Sequence, residues 1–288
     1  MTDSGTILIT GATDGLGRAL ADQLAADGAT LILHGRSQDK LDHVADEIQQ
    51  THNEDRPITV IADLAELAQV RQLANDVRSA TTRLDALINN AGIGAGQPDG
   101  RTRRTSTDGY ELRFAVNYLA GFLLTLQLLP LLRASAPARI VNVASLGQHP
   151  LDFDDLMLER GYSGIRAYGQ GKLAQIMSGF ELARRVSPSE ITVNSLHPAT
   201  FMPTKMVLES IGHSIDSLED GVTSTRRLIS DPNLSDVTGK FFDQAREAKA
   251  NAQAYDVSAR AELWKRSLKL VNQPDSILLK PGNVNFFV

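Results

Sequence analysis

The stretch Ile7–Gly17, ILITGATDGLG, decides how this chain reads. Thr6 to Thr10 is a short β-prone run, glycines follow at positions 11, 15 and 17, and apolar residues recur at helical spacing from Leu16 to Leu24. A strand, a glycine turn and a helix are expected in that order. Glycines between strand and helix allow a tight turn and a close approach of backbone to ligand, while the helix N-terminus offers free N–H groups to a pyrophosphate. The spacing is Gly-x-x-x-Gly-x-Gly and differs from the commoner Gly-x-Gly-x-x-Gly pattern. A second strand, Thr30 to His34, follows at the distance of a βαβ unit.

Beyond this unit, β-type runs recur at Ile58–Ile61, Ala86–Asn89, Arg139–Ala144, Ile191–Leu196 and Gly239–Phe242. Amphipathic stretches long enough for crossover helices lie between them, among them Lys40–Gln50, Leu67–Ala80 and Leu173–Val186. Alternation of this kind predicts an α/β fold: one doubly wound parallel sheet of about seven strands with helices on both faces. Ligands of such sheets sit beyond the carboxyl ends of the strands.

The 288 residues, 42% hydrophobic, suffice for one domain with a large core, here taken as residues 1–288 with a tail from Pro274. A net charge of −5 leaves no basic footprint for nucleic acid. Zero cysteines exclude disulfides and thiolate metal sites and fit a reducing compartment, and six scattered histidines give a metal site little support. Met1–Gly5 leads directly into the first strand, so no secretory signal is expected. The longest apolar region, Phe114–Leu132, is broken by Asn117, Gln127 and Pro130, which suits a buried helix better than a bilayer span. A cytoplasmic protein without an integral membrane segment is the expectation.

The second decisive stretch is AYGQGKLAQ, in which Tyr168 and Lys172 stand one helical turn apart and so point the same way. The lysine's charge can then act on the phenol, which makes the pair a proton-transfer device. Such pairs also occur by chance on exposed helices. Their company is what gives them weight.

Taken together, these residues resemble the short-chain dehydrogenase/reductase family over Thr6 to Val271, and within it the retinol-dehydrogenase-like branch. The resemblance rests on Thr10-Gly11 with Gly15 and Gly17, Asp63-Leu64, Asn89-Asn90-Ala91-Gly92, Asn117, Asn142-Val143-Ala144-Ser145, Tyr168 with Lys172, and His197-Pro198, in that order. The branch is suggested by the 23 positions from Ser145 to Tyr168, the intervening Phe153-Asp154-Asp155-Leu156 with Tyr162, and Gly239-Lys240-Phe241-Phe242 ahead of Leu263-Trp264.

The resemblance implies a Rossmann-type fold and a catalytic tetrad of Asn117, Ser145, Tyr168 and Lys172. Hydride transfer to a carbonyl builds negative charge on its oxygen, so the site needs a proton donor and a second hydrogen bond there. Tyr168 would donate the proton and Ser145 would orient the oxygen. Lys172 and an oxidised nicotinamide would favour the tyrosine's phenolate and so lower its pKa, and Lys172 would also hold the nicotinamide ribose. Asn117 would hold a proton-relaying water. Without the resemblance, Asn117 reads better as a buried asparagine bonding backbone, and Ser145 could be a cap and Asn89-Asn90 a turn.

Implied cofactor contacts are Gly11, Thr13, Gly15, Leu16, Gly17, Arg36, Asp63, Leu64, Asn90, Ala91, Gly92, Tyr168, Lys172, Pro198 and Thr200, with Thr204 the alternative to Thr200. NADP is expected rather than NAD. Gly35 stands where NAD-preferring members carry an acid, and Arg36 follows it, able to stack on adenine and pair with a 2′-phosphate. Asp14, where some NADP-using members carry a basic residue, argues mildly the other way. Gly171 and Ala199 depart from the serine and glycine usual beside the lysine and the proline.

The expected reaction interconverts a carbonyl and an alcohol on a small or medium lipophilic molecule. The substrate pocket is expected from Gly94–Arg104, Leu146–Ile165 and Phe201–Asp216, the last acting as a lid, with Gln148 and His149 near substrate. Leu151, Phe153, Leu156 and Met157 either line that pocket or pack the insert on the body. Arg101, Arg103 and Arg104 read as a solvated face, with an anion site as the alternative. The apolar tail would cover the pocket, extend the sheet or meet another subunit, and a homo-oligomer is expected. Two further readings stand beside the oxidoreductase: a silent NAD(P)-binding regulator or scaffold, and an epimerase or dehydratase on the same fold.

Overall fold

The computed structural model describes residues 5–52, 55–96, 99–210 and 212–274. The apolar part of the tail predicted from Pro274 lies outside these residues. The segments β1 (Thr6–Thr10), β2 (Thr30–Gly35), β3 (Ile58–Ile61), β4 (Ala86–Asn89), β5 (Ala138–Val143), β6 (Ile191–His197), β7 (Lys240–Asp243) and β8 (Arg246–Ala248) form one sheet ordered β3-β2-β1-β4-β5-β6-β7-β8. The first seven pair in parallel, and β8 is antiparallel to β7. The sheet thus has eight strands where about seven were expected. The extra one is a three-residue edge strand, Arg-Glu-Ala, largely exposed and so without the apolar signature of a buried strand.

Helices α1 (Gly15–Ala26), α2 (Gln38–His52) and α8 (Leu218–Ser230) cover one face of the sheet. On the other lie α3 (Leu67–Ala80), the helical run α4 (Leu112–Phe114) with its continuation α5 (Ala120–Ala134), α6 (Gly164–Arg185) and α9 (Val257–Leu270). A short α7 (Lys205–Ser210) follows β6. Strand side chains alternate between the two cores, Leu8 entering one and Ile7 and Ile9 the other. Burial on both faces explains why the strands read as continuous apolar runs.

Between α4 and α5 the residues Ala115–Leu119 form a π-helical turn centred on Asn117. The run Leu112–Ala134 is long and apolar enough to cross a bilayer, yet it is mostly buried against the sheet and neighbouring helices. Helix α9 closes that face: Trp264 packs edge-on to Phe122 with centroids 5.0 Å apart and lies under the Arg185 guanidinium at 4.8 Å. Tyr118 and Ser267 share a hydrogen bond of 2.6 Å.

Chain order puts the reversal of the sheet between β1 and β4. In sheets of this order the crevice that takes a ligand lies at the carboxyl ends of these two strands.

Candidate active site

The glycine turn leaves β1 at Gly11 and enters α1 at Gly15, whose N–H the Asp14 carboxylate accepts at 2.7 Å. A β-carbon on residue 17 would lie 2.2 Å from the Gly11 carbonyl oxygen and 2.6 Å from Asn90 Nδ2, so no side chain fits there. Asn90 ties the turn to β4: its Nδ2 donates to the Thr10 and Gly11 carbonyls at 2.8 and 3.2 Å, and its N–H donates to Thr10 Oγ1 at 2.9 Å. Ala91 N–H also donates to Thr10 Oγ1, at 3.1 Å. Asn90 and Ala91 therefore build the crevice by bracing its two sides.

At the end of β2, a β-carbon on residue 35 would come within 2.7 Å of the Thr13 methyl and 3.2 Å of Leu41. The Thr13 side chain occupies the space that an acid at this position would need. Arg36 beside it is exposed. Asp63 accepts the Ala65 N–H at 2.9 Å and is partly exposed, whereas Leu64 turns its side chain into the core. Leu16 is likewise buried and anchors α1.

Ser145 follows β5 and faces α6, whose start is capped by the Ser163 side chain. The Tyr168 hydroxyl hydrogen-bonds Ser145, and Ser145 Oγ also accepts the Gly147 N–H at 3.0 Å. Lys172 Nζ donates to the Val143 carbonyl at 2.7 Å and stands 5.9 Å from the centre of the Tyr168 ring. A β-carbon on residue 92 would lie 3.2 Å from Asn117 Oδ1 and 3.7 Å from Lys172 Nζ, so Gly92 is the point where tetrad and crevice meet. Four residues spread over 56 positions of chain converge here.

Burial sets the protonation of the pair. It pushes the Tyr168 phenol up, only partly offset by the Ser145 hydrogen bond, and it lowers Lys172 from 10.5 to about 8. The lowered tyrosine pKa anticipated for the cofactor-bound state is therefore not a property of the protein's own groups. In the chain itself desolvation outweighs the Ser145 hydrogen bond. The Asn117 side chain is committed to backbone, with Oδ1 accepting the Ile93 N–H at 2.8 Å and Nδ2 donating to the Ile93 carbonyl at 3.0 Å. It holds the loop after β4, using one of its two amide N–H groups and one of its two oxygen lone pairs to do so.

Pro198 is buried, and Thr200 is engaged on three sides. Its N–H donates to Asp216 Oδ2 at 2.6 Å, its carbonyl accepts the Asp216 N–H at 2.9 Å, and its Oγ1 lies 3.1 Å from His197 Nε2. Thr204, the alternative, instead lies against the glycine turn: a β-carbon on residue 15 would be 3.0 Å from its methyl. Met206 of α7 packs on Gly94 in the same way, at 2.7 Å. The segment after β6 thus spans the crevice from the first loop to the fourth, as a lid does.

The predicted pocket is corrected in part. Gln148 is consumed by structure, its Nε2 donating to the Ser145 carbonyl at 2.8 Å and its Oε1 accepting the Asn251 N–H at 2.7 Å. Leu151 and Leu156 join the core, and Arg103 donates to the Met157 carbonyl at 2.8 Å. The insert therefore packs on the body. Among the described residues, five of the eight exposed large hydrophobic side chains, Leu146, Ile165, Phe201, Leu208 and Ile215, lie between β5 and β6 or in the segment that follows β6.

One supporting cluster escaped the sequence reading. Fully buried Arg113 donates to the carbonyls of Gly94 and Ala95 at 3.0 and 2.8 Å and to the Tyr162 hydroxyl, with the Glu111 carboxylate 3.7 Å away. Tyr162 in turn donates to Glu111 at 3.2 Å. Such a network fixes the loop after β4 against the start of α6. Its signal was a charged residue inside the apolar run Leu112–Phe114.

Comparison with known proteins agrees with this geometry. A family model described as short chain dehydrogenase matches residues 5–212. The chain belongs to this family. Among curated relatives of this short-chain dehydrogenase, human Retinol dehydrogenase 13 is 34% identical over 284 residues, covering 92% of this chain and 84% of that protein. Retinol dehydrogenase 14 from Mus musculus is 33% identical, with 90% and 83% covered. Among solved structures, an uncharacterised protein from Mycobacterium paratuberculosis superposes with a TM-score of 0.73 at 27% identity, over 93% of this chain and 94% of that one. A short chain dehydrogenase from Shigella flexneri, complexed with NADP, gives 0.68 at 27% identity, over 85% and 99%. The short-chain dehydrogenase is therefore of the retinol-dehydrogenase-like kind.

Proposed function

We propose that the protein is an NADP-dependent oxidoreductase that interconverts a carbonyl and an alcohol on a lipophilic molecule of small or medium size. The observation that carries this reading is the convergence of Ser145, Tyr168 and Lys172 at the carboxyl end of β5, beside the loop that Gly92 begins to turn.

A nicotinamide dinucleotide fits the residues present. The glycine turn packs strand against helix so closely that residue 17 admits no β-carbon, which brings backbone to the start of α1, and Lys172 is buried with no carboxylate paired to it among the described residues. Gly35 has no room for an acid and Arg36 is exposed next to it, which favours a 2′-phosphate over free ribose hydroxyls. The NADP in the Shigella flexneri neighbour is in keeping with this preference. When bound, the reduced nicotinamide supplies the hydride. As negative charge grows on the substrate oxygen, Tyr168 gives up its phenolic proton to that oxygen and Ser145 donates a second hydrogen bond. The phenolate left on Tyr168 is then opposed by the Lys172 ammonium. Apolar side chains around the mouth, and relatives named for retinol, an apolar alcohol, support a lipophilic substrate.

The test is NADPH and NADH oxidation by the purified protein against a panel of aldehydes and ketones that includes retinal. NADPH turnover is expected, falling by about 10²–10⁴-fold in Tyr168→Phe with cofactor binding retained. Arg36→Ala should raise the KM for NADPH and leave that for NADH unchanged. Comparable or better turnover with NADH would reject the NADP assignment. Cofactor binding without turnover across the panel would favour the regulator.

A further inference from the structure

His34 interrupts an otherwise apolar strand, one residue before Gly35 and two before Arg36. Its side chain is buried, 1% exposed. Nδ1 lies 3.2 Å from the Gly11 amide nitrogen, which can only donate. Nε2 lies 3.1 Å from the Ala62 carbonyl oxygen, which can only accept. Both contacts are hydrogen bonds only in the neutral tautomer with its proton on Nε2. Burial holds the ring in the neutral form by lowering its pKa to about 4, against smaller upward contributions from the Ala62 hydrogen bond and Asp63 and alongside a downward one from Arg36. The backbone carbonyl of the same residue accepts the Ala12 N–H at 2.9 Å.

One residue thus joins three strand ends. Through Gly11 and Ala12 it holds the glycine turn, through its own backbone the Gly35–Arg36 corner, and through Ala62 the residue before Asp63. These are the three places where a dinucleotide's pyrophosphate and adenosine would be held. Gly11 has little freedom on its other side, since its carbonyl already accepts from Asn90 and closely approaches Gly17.

We propose that His34 is a positioning residue for dinucleotide binding, its neutral imidazole setting the distance between the glycine turn and the Arg36 corner without touching the reacting atoms. This rests on the NADP reading above. The bond to Gly11 is the one the cofactor should feel, because it fixes the N–H of the first glycine of the turn while Asn90 holds the carbonyl.

Three variants of the full chain separate the bonds. His34→Leu removes both, His34→Asn keeps an acceptor at the position of Nδ1, and His34→Gln keeps a donor at the reach of Nε2. Each is titrated with NADPH by nucleotide fluorescence, alongside a thermal melt. Leaving the Gly11 N–H unpaired is expected to weaken NADPH binding by about 5- to 150-fold in His34→Leu. His34→Asn should stay within about threefold of the unmodified protein, with His34→Gln closer to the leucine variant. If His34→Leu does not fold, the comparison of Asn with Gln decides alone. Equal affinities for Asn and Gln, or an unchanged affinity in His34→Leu, overturn the proposal. An unmodified protein that binds neither NADPH nor NADH overturns the functional reading itself.

Discussion

Replacing Lys172 by Met should make the cofactor-free protein no less stable at neutral pH while abolishing turnover. Lys172 is 5% exposed, and burial lowers its pKa from 10.5 to about 8. At about 1.4 kcal/mol per pKa unit, holding this ammonium in the folded protein costs about 3 kcal/mol wherever both states are protonated, that is below pH 8. Between pH 8 and 10.5 the unfolded chain binds the extra proton, so folding stability rises with pH and the cost is recovered. Methionine keeps the apolar stem and removes the charge. It also strands the Val143 carbonyl that Lys172 Nζ bonds at 2.7 Å, a loss of about 1–3 kcal/mol. The net change at pH 7 is then between zero and a gain of about 2 kcal/mol. The cleaner quantity is how the difference varies with pH, because every other titrating group cancels. Urea unfolding of both proteins at pH 7, 8, 9 and 10 should show the unmodified protein gaining on Lys172→Met by roughly 1 kcal/mol at pH 9 and roughly 2–3 kcal/mol at pH 10. A difference that stays flat from pH 7 to 10 would mean that burial does not depress this lysine, and the reasoning would fail.

Two further outcomes follow from packing. Gly35→Asp should weaken NADPH binding without creating NADH preference, because its β-carbon would meet the Thr13 methyl at 2.7 Å; pairing it with Thr13→Ser should let the acid seat and NADH binding improve. Cofactor titrations of the single and double variants check this, and a single variant that prefers NADH would contradict it. Trp264→Ala should cost about 3–5 kcal/mol in urea unfolding, since a 2% exposed indole loses its packing on Phe122 and under Arg185. A cost below about 1 kcal/mol would show that α9 is not part of the cooperative core.

Much of the site was legible because its parts lie at strand ends, which apolar runs mark clearly. Tyr168 and Lys172 share a helix face by spacing alone, and glycines at 11, 15 and 17 announce a turn that tolerates no side chain at residue 17. What escaped were residues whose role depends on a distant partner. Gln148 was read as a substrate contact, yet its amide spans from Ser145 to Asn251. That Thr200 is positioned by His197 and Asp216, and that Thr204 reaches the glycine turn, no local pattern shows.

The sequence by itself determined the alternating fold and the family and singled out Asn117, Ser145, Tyr168 and Lys172 as candidates, since hydrophobic periodicity and local motifs encode strand, turn and helix over a few residues. Only the tertiary structure decided that Asn117 spends its amide on Ile93, that Thr13 fills the space beside Gly35, and that burial drives Tyr168 and Lys172 toward their neutral forms. Hydrogen-bond partners and desolvation belong to the surroundings of a residue. For these groups the surroundings come from strands and helices far away in the chain.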